Sequence, residues 1–165
     1  MIKLTTGALI ATVVVAVPAG AVAARMHVDH GAGPTAVHDT GYAGIQTQVH
    51  SWSRDGSTTV RLMVNGLPAG ATYGAHVHTK PCGALATDSG GHYQHSTDPA
   101  VPLSEREVWL DITPDAHGEA VSTTTVPWEF VAGTAGSVVI HALPTNPTTG
   151  VAGARLACTT VTFGE

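Results

Sequence analysis

Between Gly74 and His95 the chain reads GAHVHTKPCGALATDSGGHYQH, with His76, His78 and His92 gathered around Cys82 and a glycine-rich loop. His76 and His78 are two apart, so on an extended strand both imidazoles project from one face. His92 on the following loop would be a third donor, and His141, at the end of SVVIH, a fourth. Imidazoles are borderline donors that hold both Cu(II) and Cu(I), and Cu(II) favours a roughly square-planar set of nitrogens. Four histidines therefore suit a copper site that cycles between the two states. A blue-copper centre would need two His, a Cys and usually a Met, but the only methionines are Met1, Met26 and Met63.

A rigid scaffold must position these donors, and the composition points to short strands. The chain has 19 Gly and 10 Pro, with many Val and Thr. Gln46 to Ser53 and Thr58 to Asn65 alternate and are joined through Asp55-Gly56, a strong hairpin signal. Further strands are expected at Thr72 to Thr79, Glu107 to Thr113, Ala120 to Val126, Ser137 to Ala142 and Arg155 to Phe163, with a long loop from Pro81 to Pro102. The expected fold is all-β: an antiparallel Greek-key barrel or sandwich of about eight strands, immunoglobulin-like, over residues 45–165.

Residues 1–24 combine Lys3, an apolar run from Ala8 to Val17, Pro18 and the small residues Ala21 to Ala24, the layout of a secretory signal peptide cleaved after Ala23 or Ala24. Its apolar core is shorter than the ~20 residues a membrane span needs. The expected location is outside the cytoplasm, secreted or at the cell envelope. Residues 25–44 lack periodicity and read as a flexible leader, whose His27, His30 and His38 form at most a weak copper-gathering arm. Removing residues 1–24 leaves a formal charge of −6, and no Lys/Arg cluster remains, which argues against a nucleic-acid partner. Two cysteines in an oxidising compartment are most simply one disulfide, Cys82 to Cys158.

GAHVH, GGHY, SVVIH and GARLAC together resemble the copper/zinc superoxide dismutase family, over about residues 45–163. The resemblance implies a Greek-key β-barrel, one copper per chain, and superoxide as substrate. It implies His76, His78, His92 and His141 as copper ligands, His92 as the bridging histidine, and Arg155 as the anion-guiding arginine beside Cys158. His92 and Arg155 are thus the expected catalytic residues.

Two departures shape the expectation. The family's zinc is held by the bridging histidine, two further histidines and an aspartate, yet Ala100 stands where the next histidine should be. In SEREVWLD, Glu107 stands where the last histidine should be and Leu110 near the aspartate. A set built from His92, His95, Asp98 and Asp111 has the wrong spacing, so no zinc is expected. The loop from Ala142 to Ala154 is only 13 residues and carries no charge, and so resembles the family's copper-only branch, in its secreted bacterial form. There a carboxylate orients the bridging histidine; Glu107 is the candidate, with Asp111 second. The competing reading is a secreted copper carrier on the same scaffold with little or no dismutase activity.

Overall fold

Alternation in the sequence becomes two four-stranded antiparallel sheets. The computed structural model describes residues 26–165, so the expected signal peptide lies outside the described residues. The first sheet has the order β1 (His27–Gly33), β3 (Gln46–Arg54), β4 (Ser57–Asn65), β6 (Ala120–Val126). The second has the order β2 (Ala36–Val37), β8 (Arg155–Thr160), β7 (Ser137–His141), β5 (Ala75–His78). The β3–β4 hairpin turns at Asp55 and Gly56, both at positive φ (53° and 80°), as a two-residue loop matching the twist of its strands requires. Val49, Val60, Leu62, Val77, Leu110, Val138, Ile140 and Phe163 belong to the shared core between the sheets.

Residues 27–37 correct the expectation of a flexible leader. β1 pairs with β3 from His27↔Ser53 to Gly33↔Thr47, and β2 pairs with β8 through Ala36↔Cys158 and Val37↔Ala157. The glycines that suggested flexibility are there for close approach. A Cβ on Gly31 would lie 2.5 Å from Val161 Cγ2 and 2.6 Å from Thr160 O, so only glycine lets β1 pass the end of β8. The domain therefore begins well before residue 45.

The stretch Glu107–Thr113 also differs from expectation. It alternates as a strand should, with Val108, Leu110 and Ile112 buried, but it meets the second sheet only at isolated bridges, Tyr73↔Ile112 and His76↔Trp109. Val77 N–H donates to Val108 O and Leu110 N–H to Ala75 O, which hangs the segment along β5. The consequence is functional: Glu107, Trp109 and Asp111 share the alternate positions, on the side of the segment away from the core.

Cys82 and Cys158 are bonded, with a sequence separation of 76. The bond ties the loop that follows β5 to β8, and its Cys82 N–H donates to Thr160 Oγ1 beside it. Closing a loop of this length stabilises the fold by roughly 4 to 5 kcal/mol on the chain-entropy account. Denaturant unfolding of a Cys82→Ser, Cys158→Ser double variant should show a loss of about that size, with unchanged stability as the contrary result.

Candidate metal centre

The faces of β5 and β7 sort their residues. Ala75 and Val77 belong to the core, as do Val138 and Ile140. His76 and His78 therefore point away from the core, as do Ser137, Val139 and His141 across the pair. A register irregularity between Ile140 and His141 carries the chain out of β7, and His141 N–H donates to Gly74 O. The loop covering this face brings in His92, bridged to His78. The result is a group of four histidines, His76, His78, His92 and His141, whose potential ligand atoms all lie within 4.8 Å of one another. Among the described residues it is the one group of three or more His, Cys, Asp or Glu so placed.

Each imidazole is tied by one nitrogen, and the ties decide its tautomer. His78 Nδ1–H donates to Gly90 O (3.1 Å), and His141 Nδ1–H to Gly153 O (3.2 Å). His92 Nδ1 lies 2.9 Å from Glu107 Oε2. Glu107 is buried, and burial pushes its carboxyl pKa up, but hydrogen bonds from His92, Trp109 and Gln94 outweigh that and leave it lowered. Being ionised, Glu107 only accepts, so His92 Nδ1 carries the proton. The same carboxylate takes Gln94 Nε2–H at 2.8 Å and Trp109 Nε1–H at 2.7 Å.

His76 is held the other way round. Its Nε2 lies 2.7 Å from Thr145 Oγ1, and Thr145 Oγ1 lies 2.5 Å from Asp111 Oδ1. The Thr145 hydroxyl donates its one proton to Asp111 Oδ1. Thr145 oxygen must then accept from His76 Nε2–H. Asp111 also takes Thr145 N–H at 2.9 Å, fixing the loop backbone. Gly74 makes room: a Cβ there would lie 2.9 Å from Thr145 Oγ1 and 2.6 Å from Ala152 Cβ.

Four ring nitrogens are left unprotonated: His76 Nδ1 and the Nε2 of His78, His92 and His141. His76 Nδ1 is buried with no hydrogen-bond partner. His78 Nε2 and His141 Nε2 stand 3.3 Å apart, and with both Nδ1 atoms donating elsewhere, neither neutral ring has a proton to place between them. Facing lone pairs and an orphaned buried nitrogen are unfavourable unless a cation sits among them. The donor set therefore fits a metal ion that accepts nitrogen ligands. A proton is a poor substitute. Burial, with the charges of neighbouring imidazoles, lowers the pKa of His76 to about 2. Burial also lowers His78 to about 3 and His141 to about 4, each against an opposing bond to a backbone carbonyl, with His92 and Arg155 adding to the fall.

Arg155 opens β8 opposite His141. Its Nη1 donates to Ala86 O (2.7 Å) and Ser89 Oγ (2.9 Å), so the short 3-10 turn Ala86–Ser89 holds the guanidinium in place. The other residues considered for zinc are not drawn in. His95 stacks on Trp128 with ring planes 10° apart, and Asp98 Oδ1 accepts from Ala100 N–H. Asp111 is engaged by Thr145, and lies 4.0 Å from His76 Nε2.

The sequence from residue 40 to 161 matches the family model described as copper/zinc superoxide dismutase (SODC). The chain belongs to the copper/zinc superoxide dismutase family. No curated protein gives a significant match. The crystal structure of the clock protein EA4 has the same fold, with a TM-score of 0.56 and 23% identity over 82% of this chain and 94% of that one. Within this superoxide dismutase family member, Thr145, Gln94 and Trp109 are the residues that sequence reading missed. Trp109 could have been found, since it shares a strand face with Glu107; Thr145, in an uncharged loop, gave no signal.

Thr145→Val keeps the shape and removes the hydroxyl, leaving His76 free to change tautomer. Competition titration should show metal affinity weakened by about 10- to 100-fold, with Thr145→Ser restoring it; an unchanged affinity in the valine variant would refute the assignment. The low pKa values of His76, His78 and His141 also set a pH dependence. An unfolded imidazole protonates near 6.5, whereas these three stay neutral in the fold down to about 4 or below. The unfolded chain thus binds more protons in that window, so metal-free stability is full above 6.5 and falls as pH drops toward 4. Thermal melts of the metal-free protein from pH 8 to 4 should show the fall, and a flat profile would contradict it.

Proposed function

We propose that the protein is a copper-dependent superoxide dismutase working outside the cytoplasm, with a copper site and no zinc site, as in the copper-only branch of the family. The observation that carries this reading is the set of four unprotonated, buried or half-buried imidazole nitrogens within 4.8 Å, each fixed by a bond on its other nitrogen. Copper held there would supply one-electron exchange, so that two superoxide ions and two protons become O2 and H2O2.

The protein's own residues do the rest. His76, His78 and His141 are 0 to 3% exposed, while the His92 side chain is 19% exposed, making His92 the member on the solvent side. With Nδ1–H committed to Glu107, His92 has Nε2 as the atom that can take up a proton and hand it to the reduced product. Glu107 does here what a zinc ion does elsewhere in the family: it fixes the ring, and Trp109 and Gln94 fix Glu107. A Cβ added to Gly150, at φ 70°, would lie 3.4 Å from Glu107 Oε2 and 3.7 Å from His92 Nδ1. Arg155 provides a permanent positive charge beside the site in a protein of formal charge −5, so attraction of an anionic substrate is local.

Metal analysis of the copper-loaded mature protein followed by a superoxide-consumption assay tests the reading. One copper per chain with rapid turnover is expected; copper without turnover would leave the carrier reading, and no copper would remove both. Arg155→Ala should keep copper bound and lower turnover at low ionic strength by about tenfold or more. Equal turnover in that variant would remove Arg155 from the substrate path.

A further inference from the structure

We propose that His30 and His50 form a second metal site, for a divalent transition cation of the copper(II) or nickel(II) kind, on the outer face of the first sheet. The two residues are directly opposite each other on β1 and β3, so the ladder on either side pins their backbones. Their Nδ1 atoms lie 3.0 Å apart, and their rings are near perpendicular with centroids 4.9 Å apart. Two nitrogens each about 2.0 to 2.1 Å from one ion and subtending a right angle are about 2.9 Å apart, the cis spacing of a square-planar or octahedral ion. A tetrahedral ion would spread them to about 3.3 Å. The observed 3.0 Å lies nearer the first value.

The pair stands apart from the four-histidine centre. Asp29, Val49 and Ser51 beside them are buried while His30 is exposed and His50 partly so, which puts the imidazoles on the solvent side and the core between the two sites. Water can complete the coordination. Without metal, one Nδ1–H donates to the other Nδ1; to bind, the donor ring moves its proton to its own Nε2, so both Nδ1 lone pairs become free with no net proton released. The family match begins at residue 40, so His30 lies before the matched residues and His50 within them. Arg61, opposite His50 on β4, is the adverse neighbour; it is exposed, so its charge can remain in solvent. A site of two protein ligands binds more weakly than one of four.

The test titrates the purified full chain, already given one equivalent of copper(II), with further copper(II) sulfate, followed by calorimetry and EPR. A second equivalent with its own EPR signal is expected. His30→Gln and His50→Gln should each weaken it at least tenfold and leave the first untouched, while Arg61→Gln should tighten it. The readout is the equivalent lost with His30 or His50, so it stands whether or not the four-histidine centre fills first. No second equivalent in the unaltered protein, meaning a hydrogen-bonded pair only, overturns the proposal. So does a second equivalent that survives both substitutions.

Discussion

Four imidazoles crowded together inside a protein, each with an unprotonated nitrogen facing the others, are an arrangement that the fold must impose. The imposition comes from outside the cluster. Gly90 and Gly153 carbonyls, Glu107, and the Thr145–Asp111 pair each take one N–H, and so leave the opposite nitrogen bare. Remove the acceptors and each ring could turn or change tautomer, and the lone pairs would find protons or water. The outward hydrogen bonds thus create the metal preference, and the burial of His76 and His78 keeps protons from competing.

Those acceptors come from segments far apart in sequence, which explains the rest of the architecture. The loop carrying Gly90 and His92 is fastened by the Cys82–Cys158 bond, and the turn within it holds Arg155. The short loop after His141 supplies Thr145 and Gly153, and its closeness to β5 depends on Gly74 having no side chain. The segment along β5 delivers both carboxylates: Glu107 to His92 and Asp111 to Thr145. A strand fully paired on both edges would have fewer options for placing these groups, whereas isolated bridges let the segment follow the histidines.

Much of this was legible in the chain. His-x-His on an extended segment fixes a shared face, Asp-Gly between alternating runs fixes a hairpin, and a chain with just two cysteines suggests one disulfide. What was not legible has a common physical cause. Gly31 looked like flexibility because the atoms that demand glycine, Val161 Cγ2 and Thr160 O, lie about 130 residues away. Thr145 carries no charge and sits among prolines and threonines, so only its position between Asp111 and His76 reveals its part. Glu107 was visible as a replaced ligand, with Trp109 on its strand face, yet the Gln94 donor that helps hold it ionised required the folded loop.

The most direct test of the account is X-ray absorption at the copper edge of the copper(II)-loaded protein. Four imidazole nitrogens at about 2.0 Å, with no sulfur and no carboxylate among the near ligands, are the expected result. A near-ligand set with fewer than four imidazoles, or one that includes the Glu107 carboxylate in place of His92, would contradict it.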